Sequence, residues 1–184
     1  VLAGKRALAS LARLRWRPRV LDLGGGLGVR HNRDEELPSI ADFVGPLVEL
    51  IPEGITLILE PGRSLVGRAG VTLYRVGSVK ESGGVTYAAI DGGMSDNPRP
   101  QLYDARYEAL LANRAKELPS GVYRVAGKHC ESGDVLIEAA ELPEPRPGDV
   151  LAVPATGAYT LARGATATGP RVPPGLLVQV AQGR

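Results

Sequence analysis

The sequence predicts an α/β segment followed by a β-rich domain, with the change of character near residue 66. Three observations predict it. Helical and extended patterns alternate over residues 1–66, which argues for βα units and parallel strands. After residue 66 the helical period disappears, and short β-branched runs separated by glycine and proline clusters take over. Over 184 residues, 43% hydrophobic and 23% charged content suits a globular chain with a sizeable core. The chain is therefore divided into residues 1–66, the end of an α/β barrel or sheet, and residues 67–184, a β domain.

In the first part, Leu2, Leu8, Leu11 and Leu14 share one face of a helix that must stop near Pro18, because proline disfavours helical geometry in the residue before it. Val20 to Leu23 reads as a short strand. Ser39 can cap a second helix running to about Leu50, with Asp42 in its first turn and Pro52 beyond its end. Ile55 to Leu59 follows as a buried strand. The expected strands of the second part are Val71 to Lys80, Val85 to Ile90, Gly121 to Ala126, Val135 to Ala140, Val150 to Val153 and Leu176 to Val180. Pro143 to Gly148 is expected to be a rigid turn and not a linker.

Basic and acidic residues number 22 and 20, a formal charge of +2 that implies neither nucleic-acid nor membrane affinity. No apolar run approaches the roughly 18 residues of a spanning helix, and the start is not a secretory signal, so a cytoplasmic enzyme is expected. The chain does not begin with methionine, so it is expected to be part of a longer one. Cys130 is the single cysteine, which excludes an internal disulfide and a multi-cysteine zinc site. It is either a small buried hydrophobe or a reactive thiol. Its neighbours His129, Glu131 and Asp134, with Gly133 permitting a turn, favour the rim of a site.

Two further motifs carry chemistry. Leu21-Asp22-Leu23-Gly24-Gly25-Gly26-Leu27-Gly28 is a strand entering a glycine loop, whose amides can approach a phosphate closely. The spacing is not GxGxxG, although the octet also resembles the loop of methyltransferases that bind S-adenosylmethionine. Glu60-Pro61-Gly62-Arg63 directly follows the next strand, so in a parallel arrangement it emerges on the same edge as the glycine loop. Gly62 can add an amide, Arg63 can fork onto a carboxylate or phosphate, and Glu60 can neutralise a cationic ring nitrogen. A methyltransferase needs none of these, and its sheet should continue in βα units. His31 and His129 are expected to be structural or surface residues.

These motifs, with Asp91-Gly92-Gly93-Met94-Ser95-Asp96-Asn97-Pro98-Arg99-Pro100 followed by Tyr103, Cys130-Glu131-Ser132-Gly133-Asp134 and Thr156-Gly157-Ala158-Tyr159, occur in the order seen in diaminopimelate decarboxylases. The resemblance covers nearly the whole chain. It implies the fold-III architecture of pyridoxal phosphate enzymes: here the last βα units of a TIM-like barrel, then a C-terminal β-barrel or sandwich. It implies pyridoxal 5'-phosphate as cofactor, with Gly24, Gly25, Gly26, Gly62 and Tyr159 around its phosphate and Glu60 at its ring nitrogen. Arg63, Arg99 and Tyr103 resemble the residues that hold the distal carboxylate of the substrate, and Glu131 the partner of its distal ammonium. Cys130 would return the proton to the substrate carbon. Cys130 and Glu131 would come from the neighbouring subunit of a homodimer. No metal is implied, and Asp22 receives no role.

The chain departs from the family in two places. The Schiff-base lysine of the family lies on an early barrel strand, several βα units before the glycine loop. Lys5, separated from Gly24 by only 18 residues, is instead expected on the helix that leads into the glycine-loop strand. Residues 166–169 read Thr-Ala-Thr-Gly where the family has a serine, an aromatic and an asparagine before glycine. The expected parent reaction is decarboxylation of meso-diaminopimelate to L-lysine, and the isolated chain is expected to be inactive. Carboxynorspermidine decarboxylase is the nearest enzymatic alternative. A non-catalytic barrel fragment or dimerisation partner is another, and a methyltransferase comes third.

Overall fold

The computed structural model describes residues 2–160. Two compact units divide the described residues: residues 2–71 together with Pro154–Ala158, and Thr72–Val153 together with Tyr159 and Thr160.

The first unit opens with helix α1 (Leu2–Arg13), which carries Lys5 on its exposed surface. Arg15 takes a left-handed φ of 51°, so the helix, whose last residue is Arg13, ends four residues before Arg17, the one restricted by Pro18. Strand β1 (Val20–Asp22) pairs in parallel with β2 (Thr56–Ile58), Val20 opposite Thr56 and Asp22 opposite Ile58. Between them lies α2 (Ile40–Val48). Its start is fixed by a reciprocal cap: the Asp42 N–H donates to Ser39 Oγ at 3.1 Å, and the Ser39 N–H donates to Asp42 Oδ2 at 3.3 Å. Because β1 and β2 run in parallel, both C-terminal ends lie on one edge, and the chain leaves each of them into a motif loop.

A short helix α3 (Gly62–Val66) and a single 3-10 turn then lead into the second unit. There β3 (Val71–Ser82), β4 (Val85–Ile90), β5 (Leu110–Leu111), β6 (Gly121–Ala126), β7 (Val135–Leu142) and β8 (Val150–Pro154) form one sheet in the order β5-β8-β3-β4-β6-β7. Gly83 and Gly84, with φ of 60° and 76°, make the two-residue turn that joins β3 to β4 antiparallel. The β4–β6 pair is parallel, with Ala88 opposite Val125. Alternation puts Tyr74 and Val76 of β3 on the buried face with Ala88 and Ile90 of β4. On β7 the strict alternation fails, since Leu136 and Ile137 are both buried. The β6–β7 register slips between Val125, opposite Ile137, and Ala126, opposite Val135, and the extra residue on β7, Leu136, turns inward beside Ile137. Leu111, Leu142, Leu151 and Val153 complete this core.

Within this mostly β part lies one five-residue helix, α4 (Arg99–Tyr103). It is too short to show a period, and Pro100 in its first turn lacks an N–H where no intrahelical bond is needed. The strand expected at Leu176–Val180 and the segment 166–169 lie outside the described residues.

One polar staple fastens β8. Asp149 accepts from Asn113 Nδ2 at 2.8 Å, from Arg114 Nη1 at 3.0 Å and from the Arg146 N–H at 2.9 Å. Burial works against its ionisation, but the bonds from Asn113, Arg146 and Arg114 outweigh burial and hold its pKa below the ordinary carboxylate value. A carboxyl with a depressed folded-state pKa contributes stability above its unfolded pKa and loses it as pH falls through the folded value. Asp149→Asn should therefore destabilise the chain by about 1–3 kcal/mol at neutral pH. In urea titrations at a series of pH values, the difference from wild type should shrink below about pH 4. A constant difference across that range would assign the cost to packing.

Candidate functional site

Within the first unit, the two strand-end motifs meet through the backbone. The Glu60 N–H donates to the Gly24 carbonyl at 2.8 Å, extending the β1–β2 ladder beyond both strands. Gly25 lies so close to Glu60 that a Cβ there would overlap the Glu60 carbonyl oxygen. Gly24 and Gly26 have φ of 69° and 120°, so the loop turns sharply where side chains are least tolerated. Asp22 shapes the turn: its Oδ1 accepts the Gly24 N–H at 2.8 Å, which occupies one glycine amide. The Gly25 and Gly26 amides have no partner among the described residues, and neither has the Glu60 carboxylate. The Gly62 N–H donates back to the Glu60 carbonyl at 2.8 Å. Two open amides, a loop that excludes side chains and a neighbouring carboxylate fit a ligand with an anionic group at one end and a cationic ring at the other.

The Thr156-Gly157-Ala158 segment belongs to this same unit. The Thr156 N–H donates to the Gly70 carbonyl at 3.0 Å and the Gly157 N–H to the Gly67 carbonyl at 2.9 Å. A Cβ on Gly157 would overlap the Val66 carbonyl, so only glycine permits this backbone contact. Tyr159, the next residue along the chain, is assigned to the second unit; it has a left-handed φ of 60° and is exposed. Arg63 lies on α3.

The other site residues lie in the second unit, where the loop 91–97, helix α4 and the loop 127–134 form one cluster. Arg99 is buried at the start of α4; its Nη1 donates to the Tyr107 hydroxyl at 2.6 Å, and its guanidinium lies 5.7 Å from the Tyr107 ring centroid. Tyr103 is exposed at the end of the helix, where Asp104 turns left-handed with a φ of 50°. From the middle of α4, Gln101 Nε2 donates to the carbonyls of Gly133 at 3.1 Å and Val135 at 2.8 Å. This amide joins the Arg99–Tyr103 helix to the Cys130 loop. Cys130 and Glu131 are both exposed. His129, expected to be structural or on the surface, hydrogen-bonds through Nε2 with Ser95 Oγ at 2.8 Å. His31 is buried, and its N–H donates to Glu35 Oε2 at 2.7 Å. Among the described residues no group of three His, Cys, Asp or Glu side chains could hold a metal ion, and no helix is long and apolar enough to cross a membrane.

Residues 20–157 match the family model described as the C-terminal sheet domain of pyridoxal-dependent decarboxylases. The chain is 50% identical over 150 residues to the diaminopimelate decarboxylase of Bacillus subtilis, covering 77% of this chain and 34% of that protein. It is 45% identical over 148 residues to that of Synechocystis, covering 76% and 32%. The chain thus spans about a third of the length of these curated relatives. Among solved structures, diaminopimelate decarboxylase from Helicobacter pylori in complex with L-lysine superposes with a TM-score of 0.75 at 30% identity, covering 90% of this chain and 42% of the other. A lysine/ornithine decarboxylase from Vibrio vulnificus superposes with a TM-score of 0.70 at 26% identity, covering 90% and 45%. With half the chain and more matched by the family model, and identity at this level to several relatives, the chain belongs to the pyridoxal-dependent decarboxylases and carries their C-terminal sheet domain.

Proposed function

We propose that this chain is the C-terminal part of a diaminopimelate decarboxylase, with the glycine loop and Glu60 completing a TIM-like barrel that holds pyridoxal 5'-phosphate. The observation that carries the reading is the juxtaposition of the open Gly25 and Gly26 amides with the Glu60 carboxylate, joined by the Glu60 to Gly24 hydrogen bond. The amides bind phosphate, and the hydroxyl of Tyr159 adds a donor there. Gly62 contributes to this cradle by close backbone approach, since its N–H serves Glu60. Glu60 keeps a proton on the pyridine nitrogen. When bound, the cofactor supplies an electron sink for the carbanion left when carbon dioxide departs.

Arg63, Arg99 and Tyr103 hold the distal carboxylate of meso-diaminopimelate, and Glu131 takes its distal ammonium. A guanidinium fork desolvated by burial binds a carboxylate far more strongly than an exposed lysine would. Cys130 delivers the proton that replaces the lost carboxylate on the substrate carbon, giving L-lysine. Cys130 and Glu131 serve the site of a second copy, so the unit of activity is a homodimer, and the compartment is the cytoplasm. The catalytic lysine that anchors the cofactor belongs to earlier barrel strands, and this chain alone does not turn over. The resemblance to a lysine/ornithine decarboxylase makes substrates without a distal carboxylate the competing reading.

In a complete enzyme carrying these residues, carbon dioxide should be released from meso-diaminopimelate in preference to ornithine and carboxynorspermidine. Arg99→Ala should cost about 2 to 4 kcal/mol in kcat/KM for diaminopimelate, with the cofactor absorbance retained. Preference for ornithine, unaltered by that substitution, would overturn the substrate reading. Loss of cofactor along with activity would show that Arg99 and its Tyr107 contact serve folding alone.

A further inference from the structure

We propose that Asp134 is the positioning residue of the Cys130–Glu131 loop, acting through a buried carboxylate that closes the loop and docks it onto the turn formed by residues 92–97. This rests on the roles given above to Cys130 and Glu131.

Asp134 is 3% exposed, and each of its two oxygens has a different task. Oδ2 accepts the His129 N–H at 2.8 Å, while the Asp134 N–H donates to the Glu131 carbonyl at 3.1 Å. Residues 130–133 are thereby closed between two bonds to one residue. Oδ1 accepts the Met94 N–H at 2.7 Å, which fixes the closed loop to the neighbouring turn. Around the carboxylate, the Lys128 N–H donates to the Gly92 carbonyl at 2.9 Å, and the Gly127 N–H donates to the Asp134 carbonyl at 2.8 Å. The carboxylate sits in a space that only glycines leave open. A Cβ on Gly93 would lie 2.5 Å from Oδ2, and one on Gly127 would overlap the same oxygen. His129–Ser95 and Gln101–Gly133 are side-chain straps on either flank.

An exposed thiol and an exposed carboxylate on a four-residue loop can meet a substrate reproducibly only if the loop backbone is held from beneath. Among the described residues, Asp134 is the one side chain that both closes the loop and joins it to a second element. A buried anion accepting two N–H bonds makes a stiff anchor, because each bond is charge-assisted and shielded from water. An amide cannot replace it. The side chain introduced by Asp134→Asn would present one oxygen and one NH2 group to two N–H donors, so one of the two bonds must be lost.

The test is Asp134→Asn, read in two ways. In this chain, hydrogen exchange at the Met94 or His129 amide should accelerate about tenfold or more, with the amides of β6 and β7 unchanged. In a complete enzyme carrying these residues, kcat should fall and KM for diaminopimelate should rise, each by about tenfold, at unchanged cofactor absorbance. A merely structural defect would reduce the cofactor-loaded fraction and leave the KM of the remainder unaltered. Both amides staying protected in the variant would overturn the proposal, and so would released amides with unchanged kcat and KM. If the variant does not fold, the wild-type chain decides: Met94 and His129 amides exchanging as fast as open chain would refute the anchor. Failure of the role given to Cys130 is seen separately, as full turnover by Cys130→Ala, and leaves the exchange result standing.

Discussion

In a complete enzyme carrying these residues, Gly25→Val should weaken cofactor binding by about 10- to 100-fold, the cost of forcing a branched side chain into a filled space. The Gly25 backbone lies against the Glu60 carbonyl, and a Cβ there overlaps that oxygen. The loop must therefore move away from Glu60, which breaks the Glu60 to Gly24 bond and carries the Gly25 and Gly26 amides off their common target. Gly45 is the control. It lies within α2 with open space around it, so Gly45→Ala should leave cofactor affinity alone, while the new Cβ, set before Pro46 where helical geometry is disfavoured, should lower Tm slightly. Titration of cofactor absorbance, beside thermal unfolding, reads both. Wild-type affinity in Gly25→Val would remove the glycine loop from the phosphate site.

Most of the fold was legible because its signals are periodic or local. The strands at Val85–Ile90 and Gly121–Ala126 coincide with the β-branched runs between turn residues, and the helix behind Ser39 starts at the residue its cap dictates. What was not legible depends on tertiary context. Helix α4 spans one and a half turns, too few for any apolar stripe, and β5 has only two residues, ordered by pairing Leu110 with Ala152. The double burial of Leu136 and Ile137 comes from a register slip against β6, which nothing in the β7 sequence announces.

The candidate site divides along the same line. Motif order points to the glycine loop, Glu60 and Cys130, because each lies in a short contiguous run of residues that can be read directly. The residues that hold them are invisible to that reading. Asp22 acts on an amide two residues away, where its glycine context hints at a turn. Asp134 and Gln101 reach carbonyls and N–H groups that are remote in sequence, and Tyr107 receives Arg99 across a left-handed turn at Asp104. Side-chain to backbone bonds of this kind have no period and no fixed spacing. The signal that was available is the density of small and acidic residues around Cys130 and Met94, which marks a tight polar loop without saying which carboxylate holds it.

Cys130→Ala should lower the turnover of a complete enzyme by about 10²- to 10⁴-fold, the usual contribution of a positioned proton donor, with the cofactor spectrum nearly unchanged. The thiol is exposed on a loop that is closed from beneath, so its removal leaves no cavity and should not alter stability. A cysteine serving only to pack a core would behave the other way, with a lower Tm and normal turnover. The proposed sharing of the site between two subunits makes a second, independent demand. Subunits carrying Cys130→Ala, mixed with equal amounts of subunits lacking the cofactor-binding lysine, exchange into dimers of which half contain one subunit of each kind. In each mixed dimer one site receives both an intact lysine and an intact Cys130, and the other site receives neither. Activity should return to roughly a quarter of that of wild type, by the logic of an isologous dimer with shared sites. No recovery, with exchange verified by native mass spectrometry, would place Cys130 in the site of its own subunit or outside the reaction altogether.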